Sequence, residues 1–196
     1  MSNRIPPIVP MSSPDLTDAD RQAVMAVLNT PNLSIGPKIE EFEAAFRRLT
    51  GAKHAIGVNS GTSGLHLCVR AAGIGAGDLV VTTPFSFVAS TNVLLFEGAT
   101  PVFVDVDPLT GNMDVAQTAT ALHDLASGGA AAKRWLPRSG VPENPRLNGL
   151  LGVDVFGQPA DWDALRSLAD QYNLPLIEDS CEALGAEYKG RQAGML

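Results

Sequence analysis

The sequence predicts an α/β fold: a mostly parallel sheet with helices on both faces. Three observations carry this. Short apolar runs that suit strands alternate with longer stretches of helical periodicity. One such run, Leu174-Pro175-Leu176-Ile177, is apolar throughout and ends in the acidic pair Glu178-Asp179, as a strand buried on both faces and ending at a ligand crevice would. The alternation also resumes after a Pro- and Gly-rich interruption, with no internal repeat and no sign of a domain boundary.

The chain has 196 residues, enough for one domain with a sizeable core. Hydrophobic residues make up 45% and charged residues 18%, an ordinary globular balance. A net charge of −7 argues against a nucleic-acid surface, but leaves room for a small anionic ligand held by backbone dipoles. No apolar run is long enough to span a bilayer, so no membrane partner is expected. Met1-Ser2-Asn3-Arg4-Ile5-Pro6-Pro7 lacks the apolar core of a signal peptide. Cys68 and Cys181 are too few for a disulfide scaffold; Cys68 reads as core, and a reduced, cytoplasmic protein is the expectation.

In chain order, Pro14-Asp15-Leu16-Thr17 opens a helix to about residue 28, which Asn29-Thr30-Pro31-Asn32 breaks. Pro37 suits the first turn of the next helix, whose Ile39, Phe42, Phe46 and Leu49 share one face. A strand is expected over 54–58, a helix over 65–72, a strand over 79–83, a helix over 86–96 and a strand over 100–106. A helix follows over 115–125. Residues 126–147, with Pro137, Pro142 and Pro145, read as an exposed excursion. Then come a strand over 150–155, a helix over 161–172, a strand over 175–178, and a strand entering a turn over 186–191. A single domain over 1–196 is the expectation.

Four places could carry chemistry. Asn59-Ser60-Gly61-Thr62-Ser63-Gly64 lies between a strand and a helix, where free amides and hydroxyls suit a phosphate. A simple N-cap by Ser60 or Thr62 explains one hydroxyl but not the whole cluster. It is not a P-loop, since Gly-Lys-Ser/Thr is missing. Gly73-Ile74-Gly75-Ala76-Gly77 looks like part of a dinucleotide fingerprint, but it follows a helix and precedes a strand, so it reads as a turn. In Pro84-Phe85-Ser86-Phe87, Phe85 reads as core, while Phe87 could be core or could cover a flat ring. At Asp154-Val155-Phe156-Gly157-Gln158-Pro159-Ala160-Asp161, Asp161 reads as an N-cap. Phe156 and Gln158 either face a cleft or belong to a loop with no ligand. Asp179 could hold a cationic group of a cofactor. With Glu182 it could suggest an acid/base pair, or half a metal site, but His54, His66 and His123 show no ligand spacing to them, so no metal is expected.

These motifs, together with the early Leu33-Ser34-Ile35-Gly36-Pro37 and with Val153-Asp154-Val155-Phe156-Gly157-Gln158 and Ile177-Glu178-Asp179-Ser180-Cys181-Glu182-Ala183-Leu184-Gly185, occur in one order. The chain resembles the DegT/StrS-type sugar aminotransferases, fold-type I pyridoxal 5'-phosphate (PLP) enzymes, over essentially its whole length. The resemblance implies that Gly61, Thr62 and Ser63 bind the PLP phosphate, that Phe87 stacks on the pyridine ring, and that Asp179 pairs with the ring nitrogen. Glu182, often His or Gln in the family, would lie near the ring hydroxyl, and Phe156 and Gln158 would line the sugar side. A nucleotide-linked keto sugar, an amino donor such as glutamate, and a homodimer are implied as partners.

One departure matters. The family's Schiff-base lysine follows the Asp motif, beyond a short hairpin. The lysines here are Lys38, Lys53, Lys133 and Lys189, and Lys189 falls in the hairpin, in Tyr188-Lys189-Gly190-Arg191. The resemblance therefore implies an incomplete large domain, with no catalytic lysine present. A PLP-dependent sugar 3-dehydratase, which has histidine at that place, and a non-catalytic remnant that binds PLP, a nucleotide sugar or a partner chain, are the alternative readings.

Overall fold

Apolar runs at 79–81, 150–153 and 176–177 supply the centre of the molecule. In the computed structural model, which describes Pro10 and residues 12–196, these runs form a parallel sheet of four strands. The strands are β1 (Asp78–Thr82), β2 (Thr100–Phe103), β3 (Arg146–Val153) and β4 (Leu176–Asp179), in the order β2-β1-β3-β4. The expectation for the first seven residues lies outside the described ones. The helices are α1 (Asp18–Leu28), α2 (Pro37–Thr50), α3 (Gly61–Ala71), α4 (Ala89–Phe96), α5 (Val115–Ser127), the short α6 (Gly129–Lys133) and α7 (Trp162–Gln171).

Every residue of β1 is buried, as a central parallel strand covered on both sides requires. Side chains alternate between two cores. Leu79, Val81 and Leu150 pack with Leu122 of α5 and Trp162 and Leu165 of α7. Val80, Leu151 and Ile177 pack on the other face with Leu65 and Val69 of α3 and Val93 and Leu94 of α4. Gly152 of β3 permits the closest contact: a Cβ there would lie 2.7 Å from Cη2 of Trp162. The indole N–H of Trp162 donates to Asp154 Oδ1 at 2.7 Å, so the largest core side chain is also hydrogen-bonded.

Local signals set the helix starts. Thr17 and Asp20 exchange the two bonds of a capping box at α1, the Thr17 N–H donating to Asp20 Oδ2 at 2.7 Å. Pro37 is the first residue of α2. Asp114 accepts from the Gln117 N–H at 2.9 Å, and Asp161 caps α7 as expected. At the start of β1, Asp78 accepts from Arg146 Nε at 2.8 Å, Asn148 Nδ2 at 2.8 Å and the Gly75 N–H at 2.9 Å. This carboxylate ties the beginnings of β1 and β3 to the turn that precedes them.

Several expectations are corrected. Residues 54–58 form no strand, and Ile56 is 78% exposed. A strand needs a paired neighbour. Here a groove of about 600 Å³, lined among others by Phe42, Ile56, Val58 and Leu184, separates the segment from the loop after β4. The apolar face of α2 forms, yet Phe42 and Leu49 stay exposed for want of a surface to cover them. The helix expected from residue 86 begins at Ala89, after a turn. β3 starts at Arg146, inside the stretch read as an excursion. That stretch is not simply exposed, because Ala132 is buried and Trp135 and Leu136 pack on the core. The Trp135 indole N–H holds it there by donating to Asp124 Oδ2 at 2.8 Å. Cys68 is exposed, since Leu65 and Val69 supply the buried face of α3. Residues 186–191 belong to a hairpin of β5 (Glu187–Tyr188) and β6 (Arg191–Gln192), with Lys189 at its tip. Among the described residues no helix is long and apolar enough to cross a membrane.

Candidate active site

The chain passes from β1 outward to β2 and then returns to place β3 on the other side of β1. Crevices in parallel sheets form at such reversals, outside the carboxyl ends of the strands. A cavity of about 270 Å³ opens there, walled by the segments that follow β1 and β4, by Val153 at the end of β3 and by the first turn of α3.

One end of the cavity is a helix N-terminus. Ser60 caps α3, its Oγ accepting from the Ser63 N–H at 3.1 Å, so the N-cap reading is correct for Ser60. The Ser63 side chain turns back toward Ser60, at 3.0 Å, rather than into the cavity. Gly61 and Thr62 line the cavity, and among the described residues their N–H groups meet no protein acceptor. Two free amides on the positive end of a helix suit a phosphate. Gly61 is needed for a close approach, since a Cβ there would meet Cys181 Sγ at 3.2 Å.

The other end is Asp179, 7% exposed at the tip of β4. Its Oδ2 accepts from the Ser90 hydroxyl at 2.8 Å and its Oδ1 from the Cys181 N–H at 3.3 Å. Ser86 Oγ lies 2.8 Å from Ser90 Oγ. Phe87 stands at the mouth, 74% exposed, so it is not core. Burial pushes the Cys181 thiol up to about 12, aided by its hydrogen bond to Asp179 and by the charges of Asp179 and Glu182. Cys68, although its residue is exposed overall, is raised as well, by the atoms packed around its sulfur and then by the charge of Asp179. Both thiols are therefore poor nucleophiles.

Glu182 lines the cavity, and its Oε2 also accepts from the Phe156 N–H at 2.7 Å. That bond supports a non-glycine residue in the left-handed region, with φ 52° at Phe156. Phe156 is 79% exposed and meets Phe85 edge-on, the ring centroids 5.8 Å apart. Phe85, read as core, is half-exposed in this pair. Gln158 turns toward the Pro159 carbonyl at 3.4 Å and does not line the cavity. The structure thus brings Gly61, Thr62, Phe87, Asp179 and Glu182 into one cavity, and leaves Ser63, Phe156 and Gln158 beside it.

Four functional candidates were not foreseen. Ser86 and Ser90 lie four residues apart in a motif already singled out, Ser86 in the bend before α4 and Ser90 in its first turn. Asn112 lay in no such motif. Its side chain donates to the Gln158 carbonyl at 2.9 Å and accepts from the Val155 N–H at 3.2 Å, clamping the loop that carries Phe156. Asp154 is fully buried, accepting from Ala160 N–H and Trp162 at Oδ1, with Ser180 Oγ 2.8 Å from Oδ2. It joins the ends of β3 and β4.

None of the four lysines lines this cavity. Lys189 pairs with Asp163 of α7 at 2.6 Å and lies over the Tyr188 ring. Its ammonium is held above the usual lysine range by the hydrogen bond to Asp163. Among the described residues no group of three or more His, Cys, Asp or Glu side chains could hold a metal ion. The donor set does fit PLP: free amides for a phosphate, an aromatic at the mouth, and a buried carboxylate for a protonated ring nitrogen.

The chain is similar to known proteins over nearly its whole length. The chain is 36% identical over 191 residues to the GDP-perosamine synthase of Caulobacter vibrioides, covering 97% of this chain and 46% of the synthase. It is similar to the solved aminotransferase of Psychrobacter cryohalolentis, at TM-score 0.79 and 35% identity over 94% of this chain and 42% of that one. DesV of S. venezuelae, solved in complex with a ketimine intermediate, gives TM-score 0.75 and 35% identity over 90% of this chain and 42% of that one. The chain spans less than half the length of each. The profile of the DegT/DnrJ/EryC1/StrS aminotransferase family matches residues 14–196, and the chain belongs to this family of PLP-dependent aminotransferases.

Proposed function

We propose that this chain is the cofactor-binding part of a transaminase that moves an amino group from an amino acid, glutamate being the expected donor, to a nucleotide-linked keto sugar. The observation that carries the reading is a single cavity with two free helix N-terminal amides at one end and a buried, hydrogen-bonded carboxylate at the other. When bound, PLP would supply an aldehyde carbon to carry the amino group and a ring that withdraws electrons from the reacting carbon.

The residues of the chain act by binding and electrostatics. Gly61 and Thr62 hold the phosphate through their N–H groups, with Ser63 completing the helix turn behind them. Phe87 covers one face of the ring and keeps water from it. Asp179 accepts the ring N–H and keeps that nitrogen protonated, because a buried carboxylate favours the charged partner. Phe156, held by Glu182 and Asn112, borders the approach of the sugar, with Gln158 next to it. Glu182, which lines the same cavity as Asp179, would face the ring hydroxyl. No proton transfer at the substrate carbon is assigned to a residue of this chain, since its lysines lie outside the cavity.

The test is equilibrium dialysis with PLP. Asp179→Asn is expected to weaken binding by about tenfold or more, as a charge-assisted hydrogen bond of about 1.5–3 kcal/mol is lost. Inorganic phosphate is expected to compete. Binding that is indifferent to both removes this reading. A borohydride-stable label on a lysine of this chain would instead show that one of the four lysines reaches the cofactor.

A further inference from the structure

We propose that Ser90, backed by Ser86, is the positioning residue that orients Asp179 for the ring nitrogen and couples it to the aromatic cover at Phe87. This rests on the preceding reading of Asp179. Ser90 is 1% exposed, in the first turn of α4, and its hydroxyl reaches Asp179 Oδ2 at 2.8 Å across the carboxyl ends of β1 and β4. A hydroxyl has one proton to donate. Its other neighbours able to accept are the neutral Ser86 Oγ, at 2.8 Å, and the Phe87 carbonyl, at a longer 3.3 Å. The charged oxygen is the stronger acceptor, so the proton goes to Asp179 and the Ser90 lone pairs are left to accept from Ser86, 2.8 Å away. The direction of the relay is then Ser86 to Ser90 to Asp179, each bond polarising the next.

Two features make this more than packing. Among the described residues the other donors to Asp179 are the Cys181 N–H, at a long 3.3 Å, and the Cys181 thiol, a weak donor, so Ser90 is the principal restraint on how the carboxylate is turned. The same hydroxyl lies within reach of the Phe87 carbonyl, so one residue sets the spacing between the group at the ring's edge and the group over its face. The sequence carries the device as two serines four residues apart, on one side of the turn that leads into α4.

The experiment uses pyridoxamine 5'-phosphate labelled with nitrogen-15 in its ring, a probe that needs no lysine. Affinity is read by fluorescence titration and ring protonation by the nitrogen-15 shift across pH. Ser90→Ala is expected to weaken binding about tenfold, the scale of one hydrogen bond to a charged group, and to lower the pH at which the bound ring nitrogen loses its proton. Ser90→Thr keeps the hydroxyl and is expected to recover most of both effects. Ser86→Ala is expected to move both in the same direction by a smaller step, and it decides the matter if Ser90→Ala does not fold. Should the serine variants bind and titrate like the unaltered chain while Asp179→Asn loses the protonated ring signal, the positioning role is overturned. Should Asp179→Asn itself behave like the unaltered chain, or the unaltered chain fail to bind the probe, it is the assignment of Asp179 that falls.

Discussion

Asp179 and Cys181 show how two neighbouring residues in one motif take opposite characters. Asp179 has its two oxygens engaged by Ser90 and by the Cys181 N–H, while the Cys181 thiol is driven toward its neutral form by burial and by the carboxylate beside it. The thiol therefore stays protonated where an ordinary cysteine, with a pKa near about 8.5, has ionised. Alkylation of Cys181 by iodoacetamide at pH 8.5 is expected to be at least about tenfold slower than that of a free model thiol, read by peptide mass spectrometry. Equal rates would show that Asp179 and burial do not control this thiol. Glu182 is a second case: a carboxylate that borders the cavity also holds Phe156 in a left-handed conformation.

At the scale of elements, β1 and β3 are joined at their beginnings by Asp78. Burial alone would raise its pKa, but the hydrogen bonds from Arg146, Asn148 and Gly75 outweigh burial and hold the carboxyl below the usual range. A carboxylate depressed in the folded state adds stability above its unfolded pKa of about 3.9, and this is lost as pH falls through the lower folded value. Asp78→Asn is thus expected to cost about 1–3 kcal/mol at pH 7, and the gap to the unaltered chain should close below about pH 4. Urea unfolding at pH 7 and pH 3 measures this, and a gap that does not narrow in acid rules out the charge as its source. The carboxyl ends of the strands follow the same logic, since Asp154 ties the end of β3 to Trp162 and faces Ser180 after β4. The strand ends that carry the cavity are therefore braced by side chains that do not line it.

Across the whole molecule, burial is uneven. The sheet and α3, α4, α5 and α7 enclose two apolar cores, whereas α1 and α2 contribute no buried residue. Leu16, Val24, Met25 and Leu28 in and before α1, Phe42 and Leu49 of α2, and Ile56 all stay exposed. Apolar area of this extent marks a surface that meets another surface. The isolated chain is expected to self-associate or to bind a hydrophobic dye, with sedimentation showing species above 20.5 kDa at micromolar concentration. A strictly monomeric chain that binds no dye would contradict this.

What the sequence by itself determined is the set of features with local physics. Alternating periodicity identified the α/β class. Thr17, Pro37 and Asp161 marked helix starts through capping and the fixed φ of proline, and the glycine-serine cluster marked the N-cap and first turn of α3. The tertiary structure alone decided what depends on partners distant in the chain. Residues 54–58 have strand composition but lie apart from any strand to pair with, so their backbone stays out of the sheet. Cys68 looks like core and is exposed, because Leu65 and Val69 supply the buried face of α3, while Phe85, also read as core, lies half-exposed against Phe156. The bond from Ser90 to Asp179 joins residues 89 apart in sequence, and Asn112 reaches the Gln158 carbonyl across 46. No periodicity or motif encodes such distances; they follow from the strand order, which sets the carboxyl ends of β1, β3 and β4 side by side.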